Sequence, residues 1–233
     1  MKTKFQIKET VLTIIAEEEY IDVAKEAIVL HRRELEHFIA EDPFFKTTLE
    51  PYPQSKNAPE IVKRMTDASA KVGIGPMSAV AGTISQLAVE AMIDAGATDA
   101  IVDNGGDIAM INERPVLVGI YAGEIKDFAF RIEPRNLILG ICTSSGKIGP
   151  SISFGNADAV TVVSRNTSLA DSSATAIGNI VTDVDSIDCA IENLKEVDGV
   201  DGVLIICGDR IGTWGDLPSI VRANVSYDQI IRP

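Results

Sequence analysis

The sequence predicts an α+β fold, in which a single domain spanning residues 1–233 packs helices against mixed or antiparallel sheet. The strand-like segments occur as neighbours joined by short turns, and they do not alternate regularly with helices. No internal repeat, low-complexity tract or clean linker divides the chain. Its 233 residues are enough to bury one full core.

The N-terminal third predicts a strand or hairpin arm, then a long helix and a loop. Residues 5–17 are rich in Thr, Val and Ile, as strands are. The next apolar residues have helical spacing, and the helix they predict ends before Pro43: Ile21, Ala24, Ile28, Leu35 and Phe38. Residues 50–60 contain three prolines and no periodicity, which predicts a loop before a short helix near 60–71.

The rest of the chain predicts a sheet interrupted by helices. A helix is expected from Met77 to Ala95, closed by Gly96. Strands are expected on both sides of a tight turn at 104–106, and the runs VLVGIYAG and DFAFRIEP are expected to extend the same sheet. Further strands are predicted at 136–143, 158–164 and in the run VDGVLIICGDRIGTWG, with helices in TSLADSSATAIGNIVTD and SIDCAIENLKEV.

Composition excludes several function classes. The net charge of −13 disfavours binding to nucleic acid or to anionic membranes. Lys8 and Glu9 interrupt any signal-peptide core, and no apolar run approaches the ~20 residues that span a bilayer. Three widely spaced cysteines form no metal motif and suggest a reducing compartment. The expected location is the cytoplasm.

The segment CTSSGKIGPSISFG, residues 142–155, resembles a phosphate-binding loop but lacks its spacing. Gly140 lies one residue too far from Gly146, and Ile148 occupies the position of the hydroxyl that would bind Mg²⁺. Thr143, Ser144 and Ser145 with their amides could still form an anion-binding nest, helped by Lys147. A polar hairpin or surface loop explains the same residues, and spacing does not choose between the two.

The segment NTSLADSSATAIGN, residues 166–179, places Asp171 and Thr175 four residues apart, on one face of a predicted helix. A carboxylate and a hydroxyl are hard oxygen ligands suited to Mg²⁺ or Ca²⁺. Ser168 and Asp171 also have capping-box spacing, and local spacing alone favours the cap over the metal site.

Two further segments combine glycines with polar residues. DNGGDIAM places Asp103, Asn104 and Asp107 around Gly105 and Gly106, which suits either close approach of a ligand or an ordinary hairpin turn. GIGPMSAVAG, which includes Met77, predicts a small-residue helix start that accepts a phosphate or simply packs against the sheet.

The histidines and cysteines are less informative. His31 and His37 are six residues apart on one predicted helix and face different ways, so they form no metal pair, and no histidine-based triad is available. Cys142 is expected to be the last inward residue of a strand, with a nucleophile as the alternative.

VDNGGDI, TSSG and VTVVSRNTSLADSSATA together resemble the motifs of the ApbE family, flavin transferases that bind FAD and attach FMN to proteins. This resemblance implies a T-fold-like α+β domain in which Asp171 and Thr175 bind Mg²⁺. It also implies that FAD or another nucleotide lies against Asn104, Gly105, Gly106 and Asp107, against Thr143, Ser144, Ser145 and Gly146, and near Met77.

A separate ApbE-like family is the closer match, because GIGPMSAVAG, CTSSG, SISFGNADAV and ADSSATAIGN all occur in order between Lys8 and Gly215. For this family the resemblance implies the fold and not the reaction. The chain lacks the Lys-Gly pair of the transferases and the histidine of the His-x-x-Asp-Pro stretch that follows their Thr-Ser-Gly loop, so full FMN transfer is in doubt. Pro150 stands where many of the closer relatives have a histidine.

Three functions follow from these observations. The first is a Mg²⁺-dependent enzyme that binds a small phosphorylated or nucleotide ligand, a flavin nucleotide above all. The second comes from the resemblance, because some relatives of the ApbE-like family are linked to sulfide assimilation and homocysteine formation: it is an accessory protein of that process, with Cys142 as a sulfur carrier. The third is a structural module that forms homo-oligomers.

Overall fold

The computed structural model of the protein describes residues 1–8, 10–54, 56–122, 125–146 and 155–223. Within these ranges the strands are β1 (Lys2–Ile7), β2 (Thr10–Ala16), β3 (Ala100–Asn104), β4 (Asp107–Asn112), β5 (Val116–Ala122), β6 (Ile125–Ile132), β7 (Arg135–Ser144), β8 (Ala159–Ser164), β9 (Gly202–Cys207), β10 (Arg210–Gly215) and β11 (Ser219–Arg222). The α-helices are α1 (Glu18–Glu41), α2 (Phe44–Thr47), α3 (Glu60–Lys71), α4 (Val80–Asp94), α5 (Thr167–Ile180) and α6 (Ile187–Lys195).

The strands form two antiparallel sheets. The large sheet has eight strands in the order β1-β2-β3-β4-β7-β8-β9-β10, and the small sheet has the order β11-β6-β5. Every pairing is antiparallel. The predicted α+β class with antiparallel sheet and packed helices is therefore confirmed.

The large sheet is the middle layer of the molecule. Side chains on one of its faces pack against the helices, in a core that α1, α3 and α4 form over β2–β4 and that α5 and α6 form over β7–β9. Side chains on its other face pack against the small sheet, around Met110, Phe130 and Ile141. Because side chains alternate along a strand, neighbouring residues of β3, β4 and β7 belong to different cores.

The prediction that VLVGIYAG and DFAFRIEP extend the same sheet is wrong. β5 and β6 pair with each other and with β11, and they lie against the second face of the large sheet. A strand that packs on a sheet and a strand that adds to its edge carry the same alternating pattern, so the pattern could not separate the two arrangements.

The helix boundaries follow local signals. α1 ends at Glu41, before Pro43, and buries the predicted stripe that begins at Ile21. The helix expected from Met77 begins instead with a 3₁₀ turn, Pro76–Ala79, which leads into α4. Gly96 ends α4 as expected, because it has a φ of +108° and its neighbour Ala97 donates its N–H back to the Met92 carbonyl at 2.9 Å.

Within the described residues no single helix has the length and apolar character needed to cross a membrane. α3 together with the run Pro76–Asp94 meets that test only as a pair, and the two helices are bent by 107° relative to each other.

Candidate functional site

The site begins at the start of α4, which has no capping side chain of its own. Ala79 occupies the N-cap position and makes no side-chain hydrogen bond. The Asp171 carboxylate, on α5, accepts a hydrogen bond from the Gly82 N–H at 2.8 Å and is also bonded by the Ala81 N–H. Asp171 therefore does for α4 what an N-cap residue does, from 89 positions away in the sequence.

Hydroxyl groups join α4 to α5 around this contact. Thr83 donates to the Ser168 hydroxyl at 2.7 Å, and the hydroxyls of Ser78 and Ser172 lie 3.0 Å apart. The helices approach so closely that a Cβ added at Gly82 would lie 2.6 Å from the Thr167 carbonyl oxygen. The first turn of α4 is thus fixed to α5 by side chains of small volume.

The capping-box interpretation of Ser168 and Asp171 is wrong. The N-cap of α5 is Asn166, whose side chain accepts a hydrogen bond from the Leu169 N–H at 3.1 Å. Ser168 and Asp171 lie inside the helix and bond to α4 instead.

The β3–β4 hairpin forms the second wall, and its turn is the one the sequence predicts. Gly105 and Gly106 have φ values of +71° and +104°, which only glycine adopts at low cost. Asp103 accepts the Gly106 N–H at 2.9 Å and so closes the turn. Asn104 donates to the Ala81 carbonyl at 3.3 Å, which ties the turn to the start of α4.

Asp107, the first residue of β4, faces Asp171 across the site. Its backbone carbonyl accepts a hydrogen bond from Ser85 of α4 at 2.8 Å. Its carboxylate receives the Cys142 thiol and the Thr143 N–H, both from β7. Two carboxyl groups from different parts of the sequence are therefore held near each other inside the protein.

Burial dominates the electrostatics of this pair. It raises the pKa of Asp107 well above its usual value, and the neighbouring Asp171 carboxyl raises that pKa further. Burial likewise raises the pKa of Asp171 to about 7, although the N–H groups of Gly82 and Ala81 oppose the shift. Asp171 is only 7% exposed.

Thr175 lies one helical turn beyond Asp171 on α5 and is half-buried. Residues four apart on a helix share a face, so Thr175 lies on the same side of α5 as Asp171. We call Asp107, Asp171 and Thr175 the aspartate site.

The end of β7 divides the predicted loop residues between two faces. Ser144 follows Cys142 on the helix side of the sheet, is 7% exposed, and its hydroxyl has no partner within the described residues. Thr143 points to the opposite face and contacts Thr161 at 2.9 Å between hydroxyl oxygens. The side chains of Thr143 and Ser144 therefore do not form a nest around one ligand.

The remaining predicted residues lie after β7, in the turn before α4, or outside the described residues. Ser145 follows β7, and the N–H of Gly146 donates to the Ala157 carbonyl at 3.0 Å. Met77, in the 3₁₀ turn before α4, packs partly against the helix-side core. Lys147 and Pro150 lie outside the described residues.

Cys142 is fully buried, as the structural interpretation of this residue expected. Its thiol lies 3.5 Å from the Thr167 carbonyl oxygen. Burial raises the pKa of the Cys142 thiol well above its usual value, and the carboxyl groups of Asp107 and Asp171 raise it further. A buried neutral thiol is a poor nucleophile, so this placement argues against the sulfur-carrier role.

The donor atoms of the aspartate site fit a hard divalent cation. Two carboxylates and a hydroxyl are oxygen ligands, and the described surroundings of Asp107 and Asp171 supply no lysine or arginine that shifts their pKa values downward. The described residues contain no group of three or more His, Cys, Asp or Glu side chains able to hold a metal. A cation here would therefore complete its shell with water and ligand oxygens, as Mg²⁺ commonly does.

Sequence reasoning missed the backbone amides of Ala81 and Gly82 as the partners of Asp171. The sequence clue was a missing cap: the segment before α4, PMSA, contains Ser78 but has no polar residue at the N-cap position itself. A helix start without its own cap requires acceptors from elsewhere in the fold.

Comparison with known proteins gives close relatives and more distant structural neighbours. The family model described as AbpE bacteria matches residues 2–210. A UPF0280 protein of Methanocella arvoryzae is 55% identical, with 98% of this chain and 94% of that protein covered. A UPF0280 protein of Methanococcoides burtonii is 52% identical, with both chains fully covered.

Among solved structures, the flavinyl transferase ApbE of Pseudomonas stutzeri in its apo form has a TM-score of 0.59 at 12% identity, covering 92% of this chain and 93% of that one. The flavin transferase ApbE of Vibrio cholerae has a TM-score of 0.58 at 13% identity, covering 94% and 97%. At such low identity these two likenesses show the fold, which is ApbE-like as the motifs implied. The chain belongs to the AbpE bacteria family, and its full-length relatives are the UPF0280 proteins.

Proposed function

We propose that this protein binds a flavin nucleotide, FAD above all, together with Mg²⁺ at the aspartate site. The observation that carries the proposal is the pair Asp107 and Asp171, in which the Asp171 carboxyl raises the pKa of Asp107 and no described cationic side chain lowers the pKa of either group. A divalent cation removes that repulsion, and the phosphates of a nucleotide supply further oxygen ligands.

In this proposal Asp171 and Thr175 hold the Mg²⁺, with Asp107 beside them. When bound, Mg²⁺ would neutralise phosphate charge and polarise a phosphoryl oxygen as a Lewis acid. The turn glycines Gly105 and Gly106 let a ligand approach the backbone, since a Cβ at either position would meet no atom within 4 Å. The proposal expects Asn104, Met77, Ser145 and Gly146 to border the bound nucleotide.

The Ser144 hydroxyl, which has no hydrogen-bond partner among the described residues, also supports a ligand here. A buried hydroxyl without a partner is costly, and this one lies on the helix side of β7, the side that carries Asp107 and Asp171. Thr143 contributes through its backbone N–H, which bonds Asp107, because its side chain faces the small sheet.

The helix start itself is a weak phosphate site in this arrangement. The amides of Ala81 and Gly82, which would accept an anion, already bond to Asp171. A phosphate therefore reaches this end of α4 through the cation rather than through the helix dipole.

Covalent FMN transfer is a separate question from binding. The chain's only histidines, His31 and His37, lie on α1 and contact Glu34 and Glu41 at 2.9 and 3.4 Å. A proton acceptor at the site would have to be a carboxyl group, and Asp107 is the group placed for it. The fold shared with flavin transferases favours a transfer reaction, whereas binding depends on fewer groups.

Calorimetry with FAD, FMN and ADP, each with and without Mg²⁺, tests the proposal. The wild-type protein should bind FAD in the presence of Mg²⁺, and Asp171→Asn and Thr175→Val should each weaken this binding by about ten-fold or more. Asp188→Asn is a matched control, because the Asp188 side chain is 84% exposed on α6. Absence of binding by the wild type, or equal binding by Asp171→Asn, would overturn the proposal.

A further inference from the structure

α4 and α5 each bond the other's first turn. Asp171 of α5 accepts hydrogen bonds from the N–H groups of Ala81 and Gly82, at the start of α4. In the other direction, the Gln86 Oε1 of α4 accepts the Thr167 N–H, at the start of α5, at 2.7 Å. The Thr167 N–H is one of the four that a helix leaves without a partner of its own. Gln86 follows Gly82 by four residues and Asp171 follows Thr167 by four, so the two contacts lie one helical turn apart.

Thr167 is the residue at which the backbone of α5 lies closest to its neighbours. It is fully buried. A Cβ added at Gly82 of α4 would lie 2.6 Å from the Thr167 carbonyl oxygen, and a Cβ added at Gly140 of β7 would lie 2.7 Å from the Thr167 Cα. A shift of Thr167 therefore changes the contacts of α5 with both α4 and β7.

Two short connections lead from Thr167 to the two aspartates of the site. Asp171 lies one turn later on the same helix, so it moves with the start of α5. The Thr167 carbonyl oxygen lies 3.5 Å from the Cys142 Sγ, and the Cys142 thiol is hydrogen-bonded to the Asp107 carboxylate. The Cys142 side chain thus lies between Thr167 and Asp107.

The side-chain amide of Gln86 is fixed at both ends. Its Nε2 donates to Glu90 at 2.9 Å, and Glu90 also accepts a hydrogen bond from Arg64 at 2.7 Å. Arg64 donates in turn to Glu60 at 2.8 Å. Because the amide nitrogen points to a carboxylate, the amide oxygen is left to accept the Thr167 N–H. Gln86 therefore holds the start of α5 in a fixed orientation that α3 supports.

The local cap of α5 serves a different amide. The Asn166 side chain accepts the Leu169 N–H at 3.1 Å, and the Asn166 N–H donates to the Ser164 hydroxyl at 3.0 Å. Loss of the Gln86 oxygen would leave the buried Thr167 N–H without this acceptor, which costs free energy. The start of α5 would then shift to regain a partner.

We propose that Gln86 is a positioning residue of the aspartate site: through the Thr167 N–H it fixes the start of α5 and thereby the positions of Asp171 and Asp107. The hydrogen bonds of Gln86 go to Glu90 and Thr167, so its effect on either aspartate is indirect. The consequence for ligand binding rests on the proposed function. The consequence for the two aspartates of the ligand-free protein does not.

Hydrogen exchange of the full-length protein in EDTA tests the positioning. The reporters are Gly82 and Thr143, whose N–H groups donate to Asp171 and Asp107. In Gln86→Leu both N–H groups should exchange about ten-fold faster than the change in global stability accounts for. Gln86→Ala removes the same acceptor without adding an apolar side chain and should give the same pattern. Exchange that rises only in proportion to the loss of global stability would overturn the proposal.

Two further variants are the controls. The double substitution Gln86→Glu with Glu90→Gln interchanges the amide and the carboxylate, keeps the net charge and retains an oxygen acceptor for the Thr167 N–H, so it should restore wild-type exchange. Arg64→Gln removes the ion pairs with Glu60 and Glu90 but leaves both hydrogen bonds of Gln86, so it should not accelerate the reporters locally. Failure of the double variant to restore slow exchange, or equal acceleration in Arg64→Gln, would contradict the proposal.

Calorimetry with FAD and Mg²⁺ connects the positioning to binding. Gln86→Leu should weaken binding by about ten-fold, and the double variant should restore it. Wild-type affinity in Gln86→Leu would contradict the proposal. If the wild-type protein binds neither ligand, the proposed function fails, whereas local acceleration of exchange in Gln86→Leu still supports Gln86 as the residue that positions the two aspartates.

Discussion

The Asp171 carboxylate on α5 accepts the Gly82 N–H of α4 at 2.8 Å and thereby caps a helix that has no cap of its own. This single contact joins the stability of the fold to the chemistry of the site. The same carboxylate that accepts hydrogen bonds from two backbone amides is the one that raises the pKa of Asp107. Two substitutions at Asp171 are therefore needed, one that removes both its hydrogen bonds and its charge and one that removes only the charge.

Asp171→Ala is expected to destabilise the ligand-free protein by about 1–2 kcal/mol, the usual cost of losing a helix cap. Asp171→Asn retains an oxygen acceptor and removes the charge repulsion with Asp107, so at pH 8 it should be at least as stable as the wild type. Urea unfolding at pH 8 measures both free energies. Asp188→Ala should change the free energy of unfolding by less than about 0.5 kcal/mol, because its partner contact is exposed. Equal stability of the alanine and asparagine variants at Asp171 would show that the cap contributes nothing.

The stability of the ligand-free protein should fall as the pH rises from about 4 to about 7. The pKa of Asp171 is about 7 in the folded state against an ordinary value of 3.8, so over this window the folded protein keeps a proton that the unfolded chain has lost. The free energy of unfolding therefore decreases with pH and levels off above this window. The raised pKa of Asp107 also makes the free energy of unfolding decrease as the pH rises. Unfolding measured from pH 4 to 9 should show this slope, and Asp171→Asn should reduce it.

Mg²⁺ should stabilise the protein more at pH 8 than at pH 5. Protons compete with the cation for Asp107 and Asp171, and they are bound at the lower pH. At ten times its Kd, Mg²⁺ is expected to raise the Tm at pH 8 by about 3–6 °C. The rise should be absent in Asp171→Asn and intact in Asp188→Asn. An equal effect of Mg²⁺ at both pH values would argue that the ion binds to other groups.

Gly82→Ala should separate α4 from α5. The added Cβ would lie 2.6 Å from the Thr167 carbonyl oxygen and 2.8 Å from the Asp171 Cβ, and neither atom belongs to the flexible end of a side chain. We expect a loss of about 1–3 kcal/mol in the free energy of unfolding. Hydrogen exchange at residues 81–83 should accelerate by more than the global loss accounts for, because the Asp171 contact is broken.

Gly105→Ala is the contrasting variant. Its Cβ would meet no atom within 4 Å, so the cost comes from the φ of +71° alone, about 1–2 kcal/mol. Exchange at residues 81–83 should then change only through the global stability. If both variants accelerate local exchange alike, the close helix contact is not what fixes the start of α4.

Features that depend on near neighbours in the sequence were predictable. The Asn-Gly-Gly turn follows from glycines that adopt positive φ, and the end of α4 follows from Gly96. The burial of Cys142 follows from its position as the last apolar residue of a strand. In each case the determining residues lie within one or two turns of the backbone.

Features that depend on distant partners were not predictable in the same way. Ser168 and Asp171 have the spacing of a local cap, yet both bond to α4, which precedes them by more than 80 positions. Thr143 and Ser144 lie on opposite faces of β7, and only the register with β8 decides which face holds the site. The spacing of residues along the sequence identifies neither the hydrogen-bond partner nor the strand register.

The last prediction concerns the three thiols and separates the enzymatic proposal from the sulfur-carrier alternative. Cys142 and Cys207 are buried, and Cys189 on α6 is exposed. In native protein a thiol reagent such as DTNB should therefore modify Cys189 quickly and leave the other two unreacted, whereas all three should react in denaturant. Cys189→Ser should remove nearly all of the fast reaction. Because the Cys142 thiol donates to the Asp107 carboxylate in a buried position, its thiolate is disfavoured, and incubation with a persulfide donor should leave its mass unchanged. Rapid modification of Cys142 in the folded Cys189→Ser variant would instead require that the region between β7 and α5 opens readily, and would return the sulfur-carrier role to consideration.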